Sequence, residues 1–222
     1  MAAAATGRDR GPVWAIVLAA GSGVRFGERK QFVSAAGRRL VDLAVERAVE
    51  ACDHVVLVHP PGERWSGPAV DHVAEGGVDR GASVRAGLAT IPDRHGTVVV
   101  HQAANPLARA ATFHALIDTI ADGAPAVFPG LRPADIVRTV DGTIAGDVLG
   151  RDELVLVQTP AAFRLEVLRM AHDGGGGALE DTALVSAAGF AVHVVPGDPR
   201  NVHVATPEDL EVVEALLFAE QG

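Results

Sequence analysis

Apolar residues along the chain fall into short runs that alternate with longer stretches of helical spacing. The runs at 13–19, 54–59, 69–74, 97–101, 124–129, 154–158 and 190–196 stop at glycine, proline or polar clusters, which predicts strands. Between them, 40–51, 80–91, 107–121, 161–172, 180–188 and 207–219 repeat apolar positions three and four apart, which predicts helices. Such alternation predicts a mainly parallel sheet with helices on both faces, a Rossmann-like three-layer α/β sandwich. In sheets of this kind ligands lie beyond the carboxyl ends of the strands. Residues 131–158 break the rhythm. There Asp135 to Val140, a turn at Asp141-Gly142, then Thr143-Ile144 predict a β-hairpin, read as an arm projecting from a single domain over 1–222. Residues 1–11 read as a frayed tail, and Gly174 to Gly177 as a flexible loop with no assigned chemistry.

The first run carries the most chemistry. Val13 to Leu18 stops at Ala19-Ala20-Gly21-Ser22-Gly23, and cations follow at Arg25 and Lys30. Side chains this small let a ligand lie against the main chain, and successive N–H groups in a turn form a concavity for anions. Arg25 and Lys30 add full positive charge, so the stretch suits a polyphosphate. It is neither of two common phosphate loops. The dinucleotide fingerprint places Phe26 where its third glycine belongs, and the Gly-Lys-Ser/Thr end of the P-loop is absent. The bland alternative is an ordinary strand–turn whose charges are simply solvated. Farther on, Gly76-Gly77 and His101-Gln102 follow other predicted strands and would face the same crevice. Asp79 suits the cap of the helix starting near Arg80, with Ser83 in its first turn. That helix start is either a second place to hold an anion or a base edge, or plain capping chemistry.

Charge and cysteine usage narrow the partners. A formal charge of −9 argues against nucleic acid and anionic membranes, so a phosphate site here must be a local cluster of cations. Cys52 is the single cysteine, which excludes an intramolecular disulfide and fits a reducing cytoplasmic setting. No apolar run approaches the ~20 residues of a membrane span.

These motifs resemble the sugar-phosphate nucleotidyltransferases, and within them the 2-C-methyl-D-erythritol 4-phosphate cytidylyltransferase family of the non-mevalonate isoprenoid route. The resemblance runs from about Val13 to Leu217, and it shows again at Glu75 to Val84, Val100 to Pro106, Gln158-Thr159-Pro160 and Asn201 to Leu210. It implies transfer of CMP from CTP to 2-C-methyl-D-erythritol 4-phosphate with release of pyrophosphate. It implies Arg25 and Lys30 as catalytic cations, and Ala19, Ala20, Gly21, Ser22, Gly23, Gly77 and Ser83 as nucleotide-binding. Arg151, His203 and Asn105 are the implied acceptor-binding residues, Mg2+ the implied cofactor, and a homodimer joined by the arm the implied assembly. Asp181, beside Glu180, matches part of an acidic pair.

The chain departs from the family's pattern at several positions. The family's metal-holding aspartate is Gln102 here, its arginine three residues later is Asn105, its phosphate-touching threonine is Ile136, and its lysine before the last helix is His203. Magnesium prefers anionic oxygen, so Gln102 is a poor replacement. Two alternatives therefore stand beside the cytidylyltransferase reading: a nucleotidyltransferase for another polyol phosphate, and an impaired nucleotide-binding paralogue.

Overall fold

The computed structural model describes residues 11–21, 26, 29–174 and 180–221. Its centre is an eight-stranded sheet. Strands β1 (Val13–Leu18), β4 (His54–His59), β5 (His72–Glu75) and β6 (Thr97–Gln102) run parallel in the order β6-β1-β4-β5. On the other side of β6 lies β11 (Ala161–Arg164), antiparallel to both β6 and β7 (Ala126–Leu131). β12 (Val192–Pro196) runs parallel to β7, and the two-residue β10 (Leu156–Val157) pairs with β7's far end.

Alternation along β1 sorts the core into two layers. Val13, Ala15 and Val17 pack with residues of α1 (Leu40–Ala51) and α3 (Ala110–Ala121) on one face. Trp14 and Ile16 pack with α2 (Arg80–Thr90), α4 (Leu165–Asp173) and α5 (Asp181–Ala187) on the other. A third cluster joins Leu40 and Leu43 of α1 to Val213 and Leu217 of α6 (Pro207–Gln221). The expected α/β sandwich is therefore the fold. No helix among the described residues is long and apolar enough to cross a membrane.

Several elements differ from the sequence reading. Residues 161–164 lie in a strand and only 165–173 are helical. Ala161, Ala162 and Phe163 are buried between β6 and β7, and that position overrides the helix preference of the alanines. A small hairpin, β2 (Ser34–Ala35) and β3 (Arg38–Arg39), turns at Ala36-Gly37. Ala36 sits there at φ 49°, and its N–H donates to Glu214 Oε1 on α6, a long-range bond that local sequence does not show. Helix α3 begins at Ala110 rather than at 107, because Leu107 and Ala108 form a turn whose Ala108 N–H donates to the Asn105 carbonyl. The separate hairpin exists as β8 (Val137–Asp141) and β9 (Ile144–Leu149). Asp141 pairs with Ile144, so its turn is Gly142-Thr143, with Gly142 at φ 56°.

Candidate active site

Because β1, β4, β5 and β6 are parallel, their carboxyl ends share one edge, where a cavity of about 530 Å³ opens. The loops there are stitched to neighbouring strands. Ala19 N–H donates to the Val58 carbonyl at 2.7 Å, Ala103 N–H to that of Leu18 at 3.0 Å, and Gly76 N–H to that of His59 at 2.8 Å. The two glycines are a steric requirement. A Cβ on Gly76 would lie 2.1 Å from Ala20 Cβ, and one on Gly77 would lie 2.3 Å from Ala82 Cβ. Small residues thus bring bare main chain to the cavity wall.

Ala19, Ala20, Gly21, Gly77 and Ser83 line this cavity, together with Lys30, Gln102 and His203. Ser22, Gly23 and Arg25 lie outside the described residues. A short turn at Lys30–Phe32 sends adjacent residues to different tasks. Gln31, buried, donates from Nε2 to the Gly21 carbonyl at 2.9 Å and so fixes the end of the first loop. Lys30 Nζ lies 2.6 Å from the Val204 carbonyl, which places an ammonium at the wall. At α2, Asp79 Oδ1 accepts from Ala82 N–H at 2.6 Å, the expected cap. Ser83 Oγ donates to the Asp79 carbonyl at 2.9 Å and accepts from Gly77 N–H at 3.1 Å, so this hydroxyl braces the glycine loop.

Arg80 is a lining cation that the sequence reading did not single out. Its Nη1 lies 2.7 Å from Asp181 Oδ2, while Asp181 Oδ1 lies 3.0 Å from His172 Nε2. Burial works against charge on Asp181, but the His172 hydrogen bond and the Arg80 guanidinium outweigh it and hold the carboxyl below its ordinary range. Asp181, matched only as part of an acidic pair, is thus the buried anchor of a cavity arginine. A capped helix start hinted at Arg80, whereas its distant partner left no local trace.

The acceptor-side residues are placed differently. Asn105 is 1% exposed and does not line the cavity; it reaches the wall through His203, whose Nδ1 lies 2.9 Å from Asn105 Oδ1. Asn105 Nδ2 donates to Asn201 Oδ1 at 3.3 Å, and Asn201 Nδ2 to the Thr159 carbonyl at 2.7 Å. Gln158 clasps both main-chain groups of Asp198, accepting from its N–H at 2.9 Å and donating to its carbonyl at 2.8 Å. Val204 N–H donates to the Ala104 carbonyl at 2.8 Å, completing the attachment of this segment to the end of β6. Arg151 lies at the base of the β8–β9 hairpin, donating to the Ala134 carbonyl at 2.7 Å, and Ile136 is exposed on the same arm. Neither lines the cavity of its own chain.

Next to Gln102, His101 is wholly buried with its ring edge-on to Phe113 at 5.2 Å, and burial pushes its pKa down to about 3. It is a neutral core residue at neutral pH. Among the described residues no group of three or more His, Cys, Asp or Glu is placed to hold a metal ion. Gln102 contributes a neutral amide, and Asp79 spends an oxygen on its cap. The described residues therefore offer no all-protein cage for magnesium, an ion that commonly takes one or two carboxylates and completes its shell with substrate phosphates and water.

A glycine-walled cavity at the carboxyl edge of a parallel sheet, carrying an ammonium and a guanidinium, is the place where an α/β protein of this topology binds an anionic ligand. The family model described as 2-C-methyl-D-erythritol 4-phosphate cytidylyltransferase matches residues 13–219, and the chain belongs to that family. A relative of that name from Nocardia farcinica is 39% identical, over 93% of this chain and 94% of its own. Another, from Geobacillus thermodenitrificans, is 37% identical over 91% of this chain and 96% of its own. The crystal structure of the Thermus thermophilus protein of that name superposes with a TM-score of 0.81 at 29% identity, covering 93% of this chain and 98% of that one.

Proposed function

We propose that the chain transfers CMP from CTP to 2-C-methyl-D-erythritol 4-phosphate, releasing pyrophosphate, with the triphosphate lying against Ala19 to Gly21 and Lys30. The observation that carries this reading is the Lys30 ammonium at a wall of closely approached main chain, inside a family of that activity. An oxygen of the acceptor's phosphate attacks the α-phosphorus, a new P–O bond forms, and the bond to the bridging oxygen of the β-phosphate breaks. The nucleophile is already an anion, so the site needs no strong base. Its work is to align the attack and to neutralise charge on the phosphoryl oxygens and the departing pyrophosphate. Lys30 supplies that charge, and Arg25 is proposed to join it. Gly77 and Ser83 are proposed to receive the nucleoside, with Arg80 as a further cation on that side.

The acceptor is proposed to meet His203 across the cavity and Arg151 from a second copy of the chain. Support for the second copy comes from the hairpin. Its strands pair with each other as a separate sheet, and its apolar side chains are largely exposed, with Ile144 at 73% and Val140 at 71%. Exposed apolar area of this kind marks an interaction surface. Ile144→Asp is expected to lower the dimer fraction measured by light scattering.

The test is pyrophosphate release from CTP with 2-C-methyl-D-erythritol 4-phosphate and a panel of other polyol phosphates. Release with the first acceptor supports the reading. Release only with another acceptor reassigns the substrate, and none with any acceptor removes the activity.

A further inference from the structure

We infer that Asn105 and Asn201 form a directional hydrogen-bond relay, anchored on the Thr159 carbonyl, that keeps a proton on Nδ1 of His203. The two asparagines are thereby positioning residues for the acceptor side.

The direction follows from the anchor. A main-chain carbonyl only accepts, so the Asn201 atom 2.7 Å from the Thr159 oxygen must be its NH2 group. Asn201 Oδ1 then faces Asn105 at 3.3 Å, where only a donor satisfies it, so Asn105 presents its own NH2. Asn105 Oδ1 is left toward His203 Nδ1 at 2.9 Å, and that nitrogen must carry a hydrogen. Amide oxygen and nitrogen are otherwise hard to tell apart, and here a group with no freedom of choice settles both. Reversing either amide would set lone pair against lone pair or N–H against N–H. Asn105 is 1% and Asn201 3% exposed, so water could not repair the loss. The Asn201 main chain is itself held, because its N–H donates to the Asp198 carbonyl at 3.0 Å and its carbonyl accepts from Gln158 Nε2 at 3.3 Å.

The consequence is chemical. A solvated neutral imidazole favours the proton on Nε2, and the relay selects the opposite tautomer. Proton gain and loss at His203 then take place at Nε2. Resting on the reading that His203 faces the acceptor, the neutral ring meets a polyol phosphate as a hydrogen-bond acceptor at Nε2, which suits a hydroxyl rather than a phosphate oxygen.

The full chain, labelled with 15N in its nine histidines, would be studied by long-range imidazole 1H–15N correlation near pH 8, with His203→Gln identifying the resonance. The expected result is a single Nδ1–H tautomer for His203. An Nε2–H ring, or an averaged mixture, overturns the relay. Asn201→Ala, at a residue that makes no hydrogen bond to His203, is expected to shift His203 toward the mixture. It should also raise KM for the polyol phosphate by about 2- to 10-fold while leaving KM for CTP unchanged. An unchanged tautomer in folded Asn201→Ala overturns the proposal, and should that variant not fold, the wild-type spectrum still decides. Absence of transfer by the wild-type chain overturns the acceptor reading alone.

Discussion

The two sides of the cavity are built by different means. Around β1 and α2 the wall is main chain, brought close because Ala20, Gly76 and Gly77 leave no room for larger groups. Around the end of β6 it is a set of polar side chains, Gln102 and His203, with Asn105 and Asn201 bonded behind them. Backbone geometry of the first kind presents N–H groups to anionic oxygens and reads no side-chain pattern. A side-chain network of the second kind can change its selectivity by exchanging amides, provided the hydrogen bonds still close. If the first side holds the nucleotide and the second the acceptor, as proposed, substitutions can pull the two apart.

The largest expected effect is on the first side. Lys30→Ala should lower kcat/KM by about 2.7–4 kcal/mol of transition-state stabilisation, read as initial rates of pyrophosphate release; an unchanged rate in a folded variant would remove its role. Next comes the support beneath that side. Asp181→Ala leaves His172 and Arg80 without their carboxylate, and about 3 kcal/mol of stability should be lost in urea denaturation, the lower end of the buried-pair range because Arg80 is partly exposed. Gly76→Ala forces its new methyl against Ala20 and should cost about 1–3 kcal/mol while weakening CTP binding by calorimetry. If the loss of binding were absent, the glycine would serve the fold and not the ligand.

Taken per pH unit, the smallest effect concerns the β6 side. His101 stays neutral in the folded chain down to about pH 3, whereas in the unfolded chain it gains a proton near its ordinary 6.5. Its folded pKa is the depressed one, so the unfolded state binds more protons and stability falls as pH drops through this window. The slope attributable to His101 is up to about 1.4 kcal/mol per pH unit, and it should vanish in His101→Gln. A slope that survives the substitution would place its source elsewhere.

What could be read from sequence divides along the same line. Glycines and alanines after a buried strand are local signals, so Ala19 to Gly21, Gly77 and the Asp79 cap were legible, and the parallel sheet followed from the alternation of runs. Long-range side-chain partners leave no such mark. Asn105 and His203 read as separate departures from the family, yet they share one hydrogen bond. Arg80 went unnoticed because its anchor Asp181 lies on a distant helix. Residues 161–164 failed for the same reason, since burial between two strands, and not local preference, makes them extended.

On the proposed function, main-chain amides after β1, together with Lys30, hold the triphosphate of CTP. A crystal structure of the chain grown with CTP tests it most directly. Phosphate oxygens are expected within hydrogen-bond distance of the Gly21 region and of Lys30 Nζ, with cytidine toward Gly77 and Ser83. Nucleotide bound elsewhere on the molecule, or a cavity still filled by solvent at saturating CTP, would contradict it.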